Sequence, residues 1–124
     1  MSMEILLNLQ EKMMATKSFE VVRAGDQDHL RLFNGGSLKG YIRTDFQNLC
    51  ETFGPPTHGP FDYEGDKVTC EWKIMADNGR FVTIYDWKVG QTPLGQYEWH
   101  IGGHDFDNVE WVSEWTGQNG WRWR

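Results

Sequence analysis

The sequence predicts an α+β fold: a single domain over residues 1–124, with an antiparallel sheet of about six strands and two or three helices packed on one face. Three observations lead there. Several short runs rich in branched and aromatic residues alternate apolar with polar positions, the period of a strand with one wet face. One stretch instead repeats its apolar residues at helical spacing between clear start and stop signals. No linker, repeat or low-complexity segment divides the 124 residues.

The opening run MSMEILLNLQEKMMA aligns Leu6, Leu9 and Met13, which predicts a weakly capped, loosely docked helix within residues 1–17. SFEVVRA (Ser18–Ala24) and HLRLFN (His29–Asn34) are expected to be strands joined by the polar turn Gly25-Asp26-Gln27-Asp28. Gly35-Gly36-Ser37 then turns the chain into a third strand, LKGYIRT. Thr44-Asp45-Phe46-Gln47 has the form of a capping box, with Thr44 at the cap and Gln47 reaching back. Phe46, Leu49, Cys50 and Phe53 follow at helical spacing, and Gly54 with Pro55-Pro56 ends that helix. The Pro-, Gly- and acid-rich loop 55–66 suggests a binding segment.

Val68, Cys70, Trp72 and Ile74 alternate with Thr69, Glu71 and Lys73 as a strand. A three-residue loop at Asp77-Asn78-Gly79 pairs Ile74 with Val82 and Trp72 with Ile84, leaving Glu71, Lys73, Tyr85 and Trp87 together on the opposite face. A two-residue Asn-Gly turn would shift the pairing by one and exchange the buried aromatics. Gln96–Ile101 makes a sixth strand, with Tyr97, Trp99 and Ile101 on one face and Glu98 and His100 on the other. Asp105 is the expected N-cap of a last helix to about Thr116, with Phe106, Val109 and Val112 packing on the sheet and Trp111 and Trp115 widening that face. In the tail 117–124, the alternation Trp121-Arg122-Trp123-Arg124 allows either a wrapped segment or a short terminal strand.

Charge and tryptophan are unevenly placed. The net charge is −6, and residues 61–124 hold six basic against eleven acidic side chains and all seven tryptophans. Such a surface repels a phosphate backbone, which argues against direct nucleic-acid binding but suits a partner with a basic groove. Cys50 and Cys70 fall on expected buried faces and imply a reducing cytosol rather than a disulfide framework. No signal peptide and no run long enough to span a membrane is expected.

The densest chemistry is YEWHIGGHD, Tyr97 to Asp105. His100 and His104 are four apart but straddle a strand end and a Gly-Gly break, so the helical geometry of a metal motif is missing and no metal is assigned. The amides of Gly102, Gly103 and His104 stand ahead of a helix, where phosphate is favoured, although Asp105 and Asp107 oppose an anion there. Neither a Gly-rich dinucleotide fingerprint nor a nucleophile elbow is present, and no cofactor is expected. Glu71, Asp86 and Glu98 could converge as paired carboxylates, but acids on the wet face of a small sheet are ordinary, so the sequence favours a non-enzymatic role over catalysis. The aromatic surplus at Tyr85, Trp87, Trp111, Trp115, Trp121 and Trp123 exceeds what one small core readily hides, and exposed Trp and Tyr anchor protein interfaces.

The segments L-K-G-Y-I-R-T-D-F, F-G-P-P, C-E-W, I-Y-D-W-K and E-W-H-I-G-G-H-D carry a resemblance. Over roughly Leu38 to Val112 the chain resembles a set of small proteins encoded by tailed bacteriophages, most specifically in Ile84–Lys88 and Trp99–His104. The resemblance implies a setting, the cytoplasm of an infected bacterium, and a class, early accessory proteins that bind and disable host or defence proteins. It carries over no catalytic or binding residues. More loosely, the order helix, F-G-x-P, strand, Asn-Gly turn, strand is similar to the helix-loop-hairpin unit of the β-lactamase-inhibitor-protein fold, which presents an open sheet to partners.

The expectation is therefore a phage-type, non-enzymatic binding protein that engages and inhibits a host or defence protein, such as a nucleic-acid-handling one, through an acidic, aromatic-rich surface. Glu71, Tyr85, Trp87 and Glu98 would form the face, and Asp62, Glu64 and Asp66 would steer the encounter. The alternative is a small-ligand protein that binds or hydrolyses a nucleotide or phosphate at the strand-helix turn, through His100, Gly102, Gly103, His104 and Asp105. Self-association through the same aromatics, as a homo-oligomeric assembly component, is a third reading.

Overall fold

The tightest constraint on the architecture is the turn at Gly79, which holds Trp72 opposite Ile84 and Ile74 opposite Val82 in the three-residue-loop register. The computed structural model describes residues 19–60, 67–76 and 79–123. The expected first helix and the acids Asp62, Glu64 and Asp66 lie outside the described residues.

Among the described residues six antiparallel strands form one sheet: β1 (Phe19–Val21), β2 (Ser37–Thr44), β3 (Glu71–Ala76), β4 (Phe81–Tyr85), β5 (Tyr97–Gly103) and β6 (Gly120–Arg122). Their spatial order is β1-β3-β4-β5-β2-β6. Helix α1 (Gln27–Leu30) runs into a 3-10 turn (Arg31–Phe33), α2 (Phe46–Phe53) follows β2, and α3 (Asn108–Thr116) links β5 to β6. This is the predicted α+β class with an antiparallel sheet and helices.

One face of the sheet is the core. Ile42, Trp72, Ile74, Val82, Ile84, Trp99 and Ile101 point there and meet Leu49 and Phe53 of α2 and Val109 and Val112 of α3. Alternation puts these residues at every second position, so burying them sends the intervening residues to the other face. Trp72 and Trp99 lie edge to face with centroids 5.6 Å apart, and Trp72 donates its indole N–H to the Gly54 carbonyl at 2.9 Å. That bond fixes the end of α2 against the sheet.

Four local expectations are corrected. His29–Asn34 is not a strand but α1 and the 3-10 turn. Asp26 accepts from the His29 amide at 3.2 Å as the helix cap, so the residues read as a hairpin turn begin a helix. The cap of α2 is Asp45, which accepts from the Asn48 amide at 2.7 Å, while Thr44 accepts from the Asn48 side chain at 2.8 Å. The cap position of α3 falls to Asp107 rather than Asp105, and Asp107 turns its carboxylate to Arg80 at 2.5 Å instead of the helix. Phe106 is exposed and lies beneath the Lys39 ammonium, 4.6 Å from its ring centre, instead of packing in the core. The tail, of the two forms open to it, takes the strand: Trp121 pairs with Tyr41 and Gly120 with Ile42.

Candidate functional site

The second face of the sheet is assembled by pairing across strands. In one row Glu71 of β3 faces Tyr85 of β4, Tyr85 faces His100 of β5, His100 faces Tyr41 of β2, and Tyr41 faces Trp121 of β6. Opposed side chains on one face stand close enough to touch, and here they are nearly all rings. Trp87 adjoins Tyr85 at 6.4 Å, Tyr85 adjoins His100 at 5.3 Å, His100 adjoins Tyr41 at 5.1 Å, and Tyr41 adjoins Trp121 at 5.8 Å. The result is an unbroken band of five rings crossing four strands. Its ends are open, Trp87 being 40 % and Trp121 42 % exposed.

Each side of the band is charge-paired. Glu98 and Arg43, opposed across β5 and β2, approach to 3.8 Å and are both more than half exposed, so the pair contributes little to stability. Glu71 and Lys73 also approach to 3.8 Å but are mostly covered, with side chains 15 % and 22 % exposed. Burial pushes the Glu71 carboxyl above its ordinary pKa, against the pull of Lys73 and with a further push from Asp86. Burial likewise raises the Tyr85 hydroxyl to about 12, helped by Glu71 and Tyr41. It lowers His100, against the opposing carboxylates of Asp86 and Glu98, and the buried Nδ1 of His100 has no hydrogen-bond partner among the described residues. At the Trp87 end, Lys67 and Lys88 stand 5.7 and 5.8 Å from the indole. The face is thus aromatic and locally balanced in charge, which refines the expectation of a mainly acidic surface.

Beside the band the 3-10 turn leans on the sheet. Phe33 meets Phe81 edge to face at 5.2 Å. Between that turn and the strands is a cavity of about 210 Å³, walled by Phe33 and Asn34 on one side and by Glu71, Lys73, Thr83 and Tyr85 on the other, with Gly102 at its floor. A side chain at Gly102 would bring its Cβ to 2.6 Å from the Thr83 hydroxyl, so glycine keeps the cavity open.

Of the residues singled out in the sequence, Glu71, Tyr85, Trp87 and Glu98 do share the second face. The strand-helix turn is built differently from the expected anion cradle. Gly102 and Gly103 lie inside β5 and are paired on both sides, by Thr83 and Leu38 and by Val82 and Ser37. Asn108, fully buried, fills the space behind them, donating to the carbonyls of Phe81 at 2.9 Å and Gly102 at 3.1 Å. His100 belongs to the ring band, whereas His104 is exposed beside Phe81, and Asp105 is exposed with its carbonyl accepting from the Asn108 amide. Among the described residues no group of three or more His, Cys, Asp or Glu side chains is placed to hold a metal ion. Cys50 is part-buried and Cys70 buried, both with raised thiol pKa from burial, which makes them poor nucleophiles. Asp86, also fully buried, is held by the amides of Thr69 at 2.7 Å and Cys70 at 3.1 Å and by the Thr69 hydroxyl, a structural clamp on the segment entering β3.

Tyr41, Thr83 and Trp121 were not singled out for the face by sequence reasoning. Period-two alternation puts Tyr41 opposite Ile42 in β2, but only the strand order, with β2 between β5 and β6, brings it beside His100 and Trp121. No helix of the described residues is long and apolar enough to cross a membrane. No family model, curated protein or solved structure matches the chain.

Proposed function

We propose that this chain is a non-enzymatic binding protein whose second sheet face docks on another protein. The observation that supports this reading most is the band of five rings from Trp87 to Trp121, on the side of the sheet opposite α2 and α3, with both end indoles open to solvent. Rings of this kind bury large area at low entropic cost, and Trp and Tyr are the side chains that most often dominate binding energy. Charge pairs at Glu98–Arg43 and Glu71–Lys73 give the rim a register without a large net field. The overall charge of −6 provides the long-range steering, and it favours a partner carrying a basic surface.

In the setting that the phage resemblance implies, an infected bacterium, that partner is a host or defence protein, with nucleic-acid-handling proteins the best electrostatic match. Covering such a protein's functional surface would inhibit it. The double variant Trp87→Ala/Trp121→Ala should lose a partner that the wild-type chain captures from host cells, while its melting temperature stays within about 3 °C, since truncating half-exposed side chains costs little stability. Capture that survives in the double variant would place the docking surface elsewhere.

A further inference from the structure

We propose that the cavity between Phe33 and the sheet is a binding site for a small neutral ligand bearing adjacent ring hydroxyls, the ribose of a nucleoside or the ring of a saccharide, gripped by Glu71 and Lys73. The cavity shares Tyr85 with the ring band, but its occupancy does not depend on the partner-docking reading.

The Tyr85 and Thr83 hydroxyls line the cavity and make no hydrogen bond to any described residue, while the Glu71 carboxylate and Lys73 ammonium approach each other to 3.8 Å, with the ammonium 6.0 Å from the centre of the Phe33 ring. These polar atoms remain reachable from the cavity, and among the described residues nothing competes with a guest or water for the Tyr85 and Thr83 hydroxyls. A site with few convergent polar groups beside an aromatic wall has the anatomy of a ligand pocket, and the volume of about 210 Å³ is below the range for drug-sized ligands, which limits the guest to one ring and its substituents.

Charge then selects the class. A phosphate drawn to Lys73 would face the Glu71 carboxylate, and a polyamine drawn to Glu71 would face the Lys73 ammonium, so each ion meets repulsion as close as its attraction. A neutral guest meets neither. The pair presents an acceptor and a donor side by side, which is the complement of two neighbouring hydroxyls: one donates to Glu71 while the next accepts from Lys73. Thr83 and Tyr85 can serve further oxygens, and the Phe33 ring covers the apolar face of the sugar. Carboxylate recognition of ribose hydroxyls is an established use of an acidic side chain.

The test uses the full chain with adenosine, 2′-deoxyadenosine, a methyl pyranoside, inorganic phosphate, alanine and spermidine, read by saturation-transfer NMR and thermal shift. Adenosine or the pyranoside should give transfer and raise the melting temperature, because a ligand that binds only the folded state stabilises it. If adenosine is the ligand, 2′-deoxyadenosine should bind about tenfold more weakly, the consequence of one lost hydrogen bond to a charged group. Binding of adenosine alone assigns a nucleoside, binding of the pyranoside alone assigns a saccharide, and binding of both supports the shared diol chemistry. Glu71→Gln and Lys73→Met should each weaken binding about tenfold, with Glu71→Gln retaining shape and fold should Lys73→Met unfold. Preference for phosphate, alanine or spermidine, absence of binding by every probe at millimolar concentration, or affinity unchanged in both variants would each overturn the proposal.

Discussion

Asn108 shows how a single side chain ties the sheet to a helix. It is fully buried, donates to two strand carbonyls and lies 3.2 Å from the Arg80 guanidinium through its own oxygen. Asn108→Leu keeps the volume and removes every side-chain hydrogen bond, so it should destabilise by about 2–4 kcal/mol in denaturant unfolding. A loss below about 0.5 kcal/mol would show that the carbonyls find other donors. Glu71 behaves in the opposite sense. Its raised pKa means that, between the ordinary value of 4.5 and the higher folded-state value, the folded chain holds a proton that the unfolded chain has released. Stability contributed by that carboxyl is therefore present at low pH and falls as pH rises through this window. Glu71→Gln should flatten that decline and leave the melting temperature at pH 7 equal to or above the wild type's; a clear drop at pH 7 would mean that the attraction of Lys73 outweighs the cost of burial. Glu71 was legible in the sequence as a face residue because alternation fixes its side of β3. Asn108 was not, since an Asn in the first turn of a helix reads as a solvated cap residue until a strand is known to pass behind it.

At the scale of the element, agreement follows where local chemistry and tertiary pairing point the same way. The β3–β4 hairpin has a turn that demands one register and an apolar pattern that rewards it, and both were readable. The segment 27–33 has a strand-like pattern over too few residues to be decisive. Asp26 and the ion pairs Asp26–His29 at 2.5 Å and Asp28–Arg31 at 2.5 Å settle it as a helical turn. In α2 the cap moved by one residue because Asp45 reaches the free amide directly. Asp45→Ala should cost about 1 kcal/mol by thermal or denaturant unfolding, whereas Thr44→Ala would cost more than Asp45→Ala only if the Thr-x-x-Gln box were the working cap. The attachment of β6 depends on Gly40, where a Cβ would lie 2.3 Å from the Trp121 carbonyl and 2.6 Å from a Val109 methyl. Gly40→Ala should therefore loosen β6, seen as faster amide exchange at Trp121 and Trp123; unchanged protection there would show that β2 can yield.

For the whole molecule, the division of labour between the two sheet faces carries the functional reading. The core face could be listed residue by residue from periodicity, while the ring band depends on a crossover that seats β2 between β5 and β6, a relation between residues some sixty positions apart that no local pattern contains. The acidic excess read from the sequence remains a property of the whole chain, yet on the band itself each carboxylate has a basic neighbour. Association should consequently slow as salt is added, through weaker steering, while the dissociation rate changes little. The most direct test of the docking face is photo-cross-linking in bacterial cells, with a photoreactive phenylalanine analogue placed at Trp87 or Trp121 on the band and at Glu51 or Glu114 on the helix side. Docking through the band predicts one recurrent cross-linked protein from the two band positions and none from the helix positions; the same adduct from Glu51 or Glu114, with silence at Trp87 and Trp121, would contradict it.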